Sequence, residues 1–398
     1  MNVLRRIVDR FPLGDEDDDE DQADAAHRTA REQTPYRPPS PRSGRQDEAR
    51  PGGTDPVTLQ IYSTCPQSKD VPAERYATAV AETARWSEAA GCTGMLVYTD
   101  NSIADPWLVA QTVLAATERL APLVAVQPVY MHPYAAASMV SSLTYLHGRA
   151  VHLNMLAGGF RNDLIALGDQ TGHDDRYTRT VEYTQILLGL LRGETVTHEG
   201  RWHQVRNLRL APALPPHLMP EVLISGSSPA GRAAAAEIGA VPIRYPEPLD
   251  QDIADAGPDT VPGGGVRVGI IAREDAAEAW RVAEERFPDT RAGQVAHAIA
   301  MRTSDSHWHQ QLARASAAAD PAPCADSGDS GEPDPYWLGP FENYHTFCPY
   351  LVGSYDRVGK AIAHYVDQGT RVFVLDIPPS AEELAHTGTV LSRVGARA

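Results

Sequence analysis

A short segment that joins serines to a proline is the strongest candidate for a ligand site in this sequence. Ser225, Gly226, Ser227 and Ser228 end an apolar run, and Pro229 follows them. Serine favours the N-cap of a helix and proline its first turn. Free backbone N–H groups, two hydroxyls and the positive helix end would then converge on one point, which suits a phosphate monoester. A plain capped helix is the alternative explanation.

A second candidate lies where an apolar run meets a pair of glycines. His152 and Asn154 stand within this run, and Ala157 and Gly158 follow it. In a strand, alternation would turn His152 and Asn154 to one side and Met155 to the other. An asparagine side chain offers both a donor and an acceptor to the edge of a heterocycle. An ordinary polar residue inside a barrel is the alternative for Asn154.

A third candidate is the start of a predicted helix at His173, in which Arg176 and Tyr177 follow two aspartates. An arginine and a tyrosine at this place could reach a phosphate or a substrate anion. The same residues also fit an ordinary helix start with an acidic first turn and surface side chains.

Histidine is the natural residue for proton transfer near neutral pH. His132, His152, His173 and His345 all lie near predicted strand ends or in the last long connection. We therefore treat these four as candidates for handling protons, and a structural role is the alternative for each.

Several other chemistries and environments lack their sequence signals. The motifs G-x-S-x-G, H-E-x-x-H and G-x-x-x-x-G-K-[ST] are absent. The four cysteines show no metal-ligand spacing, so we expect reduced thiols in a cytoplasmic protein and no metal site. The net charge of −17 argues against a nucleic-acid partner. No apolar run is long enough to span a membrane, and the N-terminus does not resemble a secretory signal.

The chain divides into a tail and a folded domain. Residues 1–55 are rich in charged residues, proline and glycine. Such a segment buries too little apolar surface to offset the entropy cost of ordering, so we expect a disordered acidic tail. Residues 56–398 are expected to form the folded domain.

Eight short apolar runs alternate with amphipathic stretches in the folded domain. The runs are 57–63, 94–98, 123–127, 151–156, 222–225, 241–244, 266–272 and 371–375. Continuous apolar strands separated by helices indicate a parallel sheet that is covered on both faces. Eight such units favour an α/β fold of the (β/α)8, or TIM barrel, type with insertions, and an open doubly wound sheet is the alternative.

Two longer connections interrupt this alternation. Residues 195–220 are expected to contain a small hairpin with its turn at 198–200. Residues 288–344 form a second insertion, and the Ala/Asp/Ser/Gly/Pro-rich part at 315–335 is expected to be mobile. Barrel active sites lie at the carboxyl ends of the strands, so an insertion before the last strand is a candidate lid. A tolerated surface insertion is the alternative.

Taken together, these segments resemble the bacterial luciferase-like flavin monooxygenases, most closely the alkanesulfonate monooxygenase branch. The resemblance covers roughly residues 57–390. Segments 94–110, 117–128 and 154–159 are similar to the second, third and fourth strand regions of that family. Arg176-Tyr177 stands at the family's E-R-Y motif and Ser225–Ser228 at its G-G-S-S motif. Residues 193–200 resemble its hairpin, and 351–354 with 373–375 resemble its last unit.

The resemblance implies a TIM barrel, reduced FMN as the working flavin and a separate NAD(P)H-dependent flavin reductase that supplies it. Such an enzyme is a two-component monooxygenase that acts with O2 on a small organic substrate, and family members are commonly homo-oligomers. By carry-over, Ser227, Ser228 and Tyr177 would hold the FMN phosphate. Asn154 would face the flavin ring, with Tyr98 and Thr99 nearby.

The chain departs from the sulfonate enzymes at several positions. It has Ile103, Gly269 and Pro378 where they have a Cys, a His and a Tyr, and Tyr344-His345 falls near the Arg of their V-R-G-G segment. Arg267 is retained and is a candidate catalytic residue. We therefore expect a substrate other than a simple alkanesulfonate. An F420-dependent oxidoreductase on the same barrel and a non-catalytic flavin-binding protein are the alternative functions.

Overall fold

The computed structural model describes residues 58–159, 161–249, 264–303 and 332–394. The expected disordered tail at 1–55 lies outside these residues, and so does most of the segment at 315–335. The strands in the described part are β1 (Gln60–Thr64), β2 (Gly94–Val97), β3 (Ala121–Val126), β4 (His152–Leu156), β5 (Val196–Glu199), β6 (Gln204–Leu208), β7 (Val222–Ser225), β8 (Val241–Arg244), β9 (Gly265–Arg273), β10 (Tyr336–Trp337), β11 (Tyr350–Ser354) and β12 (Val372–Leu375).

Eight of these strands close into a parallel barrel in the order β1, β2, β3, β4, β7, β8, β9 and β12. The barrel closes where β12 pairs with β1, with Gln60 opposite Val372 and Tyr62 opposite Val374. The predicted TIM barrel is therefore confirmed, and the open sheet is excluded. All eight predicted apolar runs coincide with barrel strands, and their ends shift by up to three residues.

Helices cover the outside of the barrel. They are α1 (Ala73–Ala89), α2 (Pro106–Ala116), α3 (Pro133–His147), α4 (Arg161–Ala166), α5 (His173–Leu191), α6 (Pro229–Ile238), α7 (Ala276–Arg286), α8 (Arg291–Thr303), α9 (Gly339–Glu342), α10 (Tyr355–Asp367) and α11 (Ala381–Arg393). Side chains such as Tyr62, Leu123 and Val374 fill the barrel interior. Met155 and Ile224 point outward into the layer under the helices. None of the helices in the described part of the chain is both long and apolar enough to cross a membrane.

Local sequence sets the start of several helices at the barrel's carboxyl end. Asp105 accepts hydrogen bonds from the backbone N–H groups of Trp107 (2.9 Å) and Leu108 (3.2 Å) at the start of α2. Ser228 does the same for Gly231 at the start of α6, at 3.1 Å. Each cap is followed by a proline in the first turn, which cannot donate to a preceding turn and so begins the helix cleanly.

The predicted hairpin exists, but its turn lies later in the chain than the predicted 198–200. Residues 197–199 belong to β5, and the chain reverses at residues 200–203. Glu182 of α5 decides this position, because its carboxylate accepts the backbone N–H groups of Arg201, Trp202 and His203 at 2.9–3.1 Å. The residues around Gly200 cannot reveal a partner that lies on another element.

Additional strand pairing lies around the last insertion, and the sequence pattern does not predict it. Strand β9 runs beyond the barrel, and its second half pairs in parallel with β11, with Gly269 opposite Tyr350. Strand β10 then adds to β11 in an antiparallel sense. Gly269 allows this arrangement because a Cβ at that position would collide with the ring of Tyr350. The ring of Tyr350 therefore occupies the space that a side chain at position 269 would need.

Candidate active site

A cleft opens at the carboxyl ends of the barrel strands, where active sites of this fold lie. It contains about 1330 Å³ of space with its open mouth included. It is lined by Gln67, Lys69, Leu96, Tyr98, Thr99, Asp100, Ile103, Ala125, Gln127, Asn154, Leu156, Ala157, Gly158, Gly159, Asp163, His173, Tyr177, Ser225, Gly226, Ser227, Ser228, Tyr245, Arg267 and Phe347. Apolar walls with a few convergent polar groups are typical of a site for an organic ligand.

One corner of the cleft is the start of α6. Gly226, Ser227 and Ser228 form the turn between β7 and this helix, and Ser228 is its N-cap. The Tyr177 hydroxyl covers the turn, since it donates to the Ser225 carbonyl at 3.4 Å. A Cβ at Gly226 would collide with that hydroxyl. The turn therefore presents backbone, hydroxyls and the positive helix end together, which is an arrangement suited to an anion.

Two arginines lie behind this corner. Arg176 is buried and donates to the Thr171 carbonyl at 3.0 Å. Arg232 donates to the Ser227 carbonyl at 2.6 Å, which fixes the turn from the helix side. Burial raises the pKa of Tyr177, although a hydrogen bond with Ser228 and the charge of Arg176 oppose the shift. The phenol is thus a neutral donor at neutral pH, and the corner has positive charge behind it.

Asn154 lies next to this corner, in the middle of β4. Its Oδ1 accepts a hydrogen bond from the Ser225 hydroxyl at 3.0 Å. None of the described residues accepts from its amide nitrogen within a hydrogen-bond distance. The NH2 group therefore remains available for a ligand in the cleft, as expected for a residue that faces a heterocycle.

Another wall carries Arg267, which comes from β9. Its guanidinium carbon lies 5.0 Å from the centroid of the Tyr98 ring. Its Nη2 lies 3.8 Å from Oδ1 of Asp376, which directly follows β12. A cation over an aromatic face contributes about 0.5–2 kcal/mol, depending on its desolvation. Both contacts hold the arginine against the cleft.

The mouth of the cleft has charges of both signs. Lys69 lies in the loop after β1 and is exposed, and Ser68 ties this loop to the next one through the Ala104 N–H at 2.8 Å. Asp100 comes from the loop after β2, and Asp163 comes from α4, which follows β4. Burial raises the pKa of Asp163, and the nearby Asp100 carboxylate adds to the shift. The entrance is therefore polar, whereas Leu96, Ala125 and Leu156 line the interior.

Most of the predicted site residues lie together in this cleft. The cofactor candidates among them are Tyr98, Thr99, Asn154, Ala157, Gly158, Tyr177, Ser225, Gly226, Ser227 and Ser228, and the catalytic candidates are His173 and Arg267. His173 is the first residue of α5, and its ring packs edge-on against Tyr177 with 5.2 Å between centroids. It is the one histidine among the cleft-lining residues in the described part of the chain.

The other predicted histidines do not line the cleft. His132 is the N-cap of α3 and accepts from the Tyr134 N–H at 3.1 Å. His152 lies at the opposite, amino end of β4, where its Nδ1 accepts from the Glu221 N–H at 2.9 Å. Burial lowers the pKa of His152, so it is neutral there. His345 is exposed, and its Nε2 lies 3.1 Å from the Pro288 carbonyl oxygen.

The sequence did not single out several residues of the cleft. Gln67, Lys69, Gln127, Tyr245 and Phe347 belong to this group, and Asp376 lies just behind Arg267. Gln67, Gln127 and Tyr245 stand directly after or near the carboxyl end of a predicted strand, which was a usable signal. No comparable signal marks Phe347, because it lies in the irregular segment before β11.

Comparisons with known proteins agree with this architecture. The model of the luciferase-like monooxygenase family matches residues 57–371. A 4-(gamma-L-glutamylamino)butanoyl-[acyl-carrier protein] monooxygenase from Niallia circulans is 30% identical over 340 residues, which are 84% of this chain and 96% of that protein.

Solved structures superpose over most of the chain. The EDTA monooxygenase from Chelativorans sp. BNC1 gives a TM-score of 0.65 at 15% identity, covering 84% of this chain and 94% of its own. The oxygenating component of 3,6-diketocamphane monooxygenase from Pseudomonas putida, solved with FMN, gives 0.61 at 16% identity and covers 85% and 98%. The match of the family model and the relative at 30% identity decide the assignment: the chain belongs to the luciferase-like monooxygenase family.

Proposed function

We propose that this protein is a monooxygenase that uses reduced FMN and O2, with the flavin bound in the cleft at the carboxyl end of the barrel. The observation that carries the proposal is the corner at the start of α6. There, Gly226, Ser227 and Ser228 lie under the Tyr177 hydroxyl, with Arg176 and Arg232 behind them. A phosphate monoester needs this combination of N–H donors, hydroxyls and positive charge.

The residues present fit the rest of a flavin as well. Gly226 has no Cβ, which lets the Tyr177 hydroxyl lie directly against the turn that would hold the phosphate. Asn154 has a free amide NH2 for the polar edge of the ring system. Tyr98, Thr99, Ala157 and Gly158 would line the space beside the ring. FMN was present in the solved diketocamphane monooxygenase, which shares this fold.

Reduced flavin supplies two electrons to O2, so that one oxygen atom enters the organic substrate and the other leaves as water. The protein's part is to orient both partners and to exclude water from the apolar interior formed by Leu96, Ala125 and Leu156. His173 is the histidine that faces the cleft, and we assign proton handling to it. We assign the substrate to the wall of the cavity that carries Arg267, whose guanidinium lies over the Tyr98 ring.

The partners follow from this chemistry. A separate NAD(P)H-dependent flavin reductase would supply the reduced flavin, and the substrate would be an organic molecule other than a simple alkanesulfonate. The relative from Niallia circulans acts on an acyl group carried by a protein. A carrier-bound acyl group is therefore the first substrate class to assay.

Flavin binding tests the proposal directly. Ser228→Ala removes the N-cap hydroxyl of α6, and we expect it to raise the Kd for reduced FMN about tenfold, measured by anaerobic fluorescence titration. Ser380→Ala is the matched control, since Ser380 caps α11, which begins with Ala381, by accepting from the Glu383 N–H at 3.3 Å. Loss of either cap costs about 1 kcal/mol, which is too little to unfold a barrel of this size.

Three results would contradict the proposal. Wild-type protein that fails to bind reduced FMN at micromolar concentrations would support a non-catalytic role. A lower Kd for F420 than for reduced FMN would support the deazaflavin alternative. If Ser228→Ala and Ser380→Ala change the Kd for reduced FMN equally, the turn at the start of α6 does not bind the flavin phosphate.

A further inference from the structure

The arginine in the cleft has a counter-ion held in a fixed position. Arg267 lies opposite Val374 in the pairing of β9 with β12, so its side chain and Asp376 emerge at the same end of neighbouring strands. The distance from Nη2 to Oδ1 of Asp376 is 3.8 Å, and both side chains are largely buried. This is an ion pair without a hydrogen bond. Nε of Arg267 has no hydrogen-bond partner among the described residues.

Two hydroxyl groups orient the Asp376 carboxylate. Thr346 Oγ1 and Tyr350 Oη both donate to Oδ2, at 2.6 Å and 2.9 Å. Burial raises the pKa of Tyr350, so its hydroxyl is a neutral donor. The ring of Tyr350 occupies the space that a side chain at position 269 would fill, and Gly269 leaves it open. Oδ2 is thereby occupied, and Oδ1 is directed to Arg267.

The charge of this wall determines what it can bind. A buried guanidinium without a counter-ion favours an anion strongly, because its charge would otherwise lie unpaired in a medium of low dielectric constant. Asp376 already compensates that charge. An anionic ligand group next to Arg267 would therefore meet a carboxylate as well, while a neutral acceptor would still meet the guanidinium N–H groups.

We propose that the Arg267–Asp376 pair selects a substrate with a neutral carbonyl, such as an amide or a thioester, over a free carboxylate or a sulfonate. Asp376 is a positioning residue, because it affects the substrate only through its ion pair with Arg267. The inference rests on the proposed function, because it takes this wall of the flavin cleft as the substrate side. It also accounts for Gly269 and Tyr350, which build the support for Asp376.

Binding of matched ligands tests the selection. Octanamide, octanoate and octanesulfonate share one alkyl chain and differ in the charge of the head group. We expect isothermal titration to give the lowest Kd for octanamide with wild-type protein, both without flavin and with reduced FMN. Asp376→Asn removes the compensating charge, and the ratio of the octanoate Kd to the octanamide Kd should fall at least about tenfold.

Two further variants serve as a control and as a replacement for Asp376→Asn. Glu383→Gln removes another buried carboxylate from two arginines, Arg273 and Arg286, and Glu383 is not among the residues that line the cleft. It should keep the wild-type preference. If Asp376→Asn does not fold, Tyr350→Phe serves instead. It removes one of the two hydroxyl donors to Oδ2, leaves Thr346 in place and changes no charge, and it should reduce the preference for the amide in the same direction.

The proposal is overturned if wild-type protein binds octanoate or octanesulfonate more tightly than octanamide. It is also overturned if the ratio is unchanged in Asp376→Asn or, where that variant does not fold, in Tyr350→Phe, or if none of the three ligands binds. Binding of reduced FMN, measured on the same samples, separates this inference from the proposed function. Normal flavin binding without selectivity defeats the inference alone, whereas selectivity without flavin binding defeats the flavin assignment.

Discussion

Asp169 carries an ion pair that fixes the loop in front of α5. Its Oδ2 lies 2.7 Å from Nη2 of Arg179, and its Oδ1 accepts from the Thr171 N–H at 3.0 Å. Thr171 in turn holds Arg176 through its carbonyl. Burial opposes ionisation, but the bonds from Arg179 and Thr171 outweigh it and lower the pKa of Asp169 from 3.8 to about 2. This residue therefore stabilises the base of the proposed phosphate corner.

Asp169→Asn should lower the free energy of unfolding by about 1–2 kcal/mol near pH 7. Because the folded-state pKa is depressed, this stabilisation is present above about pH 4 and disappears as the pH falls toward 2. Urea unfolding near pH 7 and near pH 3 measures both effects. Asp356→Asn is the control, since its pair with Arg393 is exposed and contributes little. Equal losses in the two variants, or a loss unchanged near pH 3, would contradict the expectation.

Individual site residues were predictable where the signal is local. Ser228 and Pro229 are typical of a helix start, and Asn154 lies within an apolar run that indicates a buried strand. Asp376 and Thr346 could not be recognised from the sequence, because their role depends on contacts between distant positions. Thr346 and Asp376 are 30 residues apart, and Arg267 is more distant still. The same limit explains why three histidines near strand ends proved to have structural partners instead of facing the cleft.

At the scale of elements, the hairpin of β5 and β6 depends on one side chain of α5. Glu182 accepts three backbone N–H groups from the turn, and His198 Nε2 lies 3.5 Å from it. Although burial opposes the shift, these backbone hydrogen bonds lower the pKa of Glu182. Charge-assisted bonds of this kind are stronger than neutral ones. The hairpin is thereby attached to the helix that presents His173 and Tyr177 to the cleft.

Glu182→Gln should release the turn, because an amide offers one acceptor oxygen in place of two charged ones. We expect hydrogen exchange of the amides at 196–208 to accelerate severalfold, because the free energy of local opening falls. Glu199→Gln changes an exposed acid in the same hairpin and should leave exchange unchanged, because its pair with Arg206 is exposed at 3.9 Å. Comparable exchange in both variants and wild type would show that the turn forms without Glu182.

The elements that repeat were predictable, and of the additions to the barrel the hairpin of β5 and β6 was predictable, whereas β10 and the pairing of β9 with β11 were not. Most barrel strands carry largely apolar runs, since both of their faces are covered. Strand β11 has the same apolar character, yet Leu351–Ser354 was interpreted only as part of the final unit. It pairs with the far half of β9, and nothing in either segment specifies that extension. Gly269 is the local sign of this pairing, and it can be interpreted only when the position of the Tyr350 ring is known.

At the scale of the whole molecule, charge is distributed unevenly over the surface. The chain has a net charge of −17, yet α2 and α3 contain no Asp, Glu, Lys or Arg. Leu108 on α2 and Tyr145 and Leu146 on α3 are about 70% exposed. Exposed apolar patches of this kind mark interaction surfaces in folded proteins. Two copies that carry such a net charge can approach each other with least repulsion through an uncharged face.

We therefore expect a homo-oligomer assembled through α2 and α3 of neighbouring copies, which is consistent with the self-complementary interfaces of symmetric dimers. Leu146→Glu places a charge on the exposed face of α3 and should yield monomers at micromolar concentration, because an unpaired charge in an apolar interface costs several kcal/mol. Val295→Glu is the matched control, since Val295 is exposed on α8. Light scattering coupled to size exclusion gives the mass of each variant. A monomeric wild type, or dissociation by both substitutions alike, would argue against this face and leave the uncharged helices without an assigned partner.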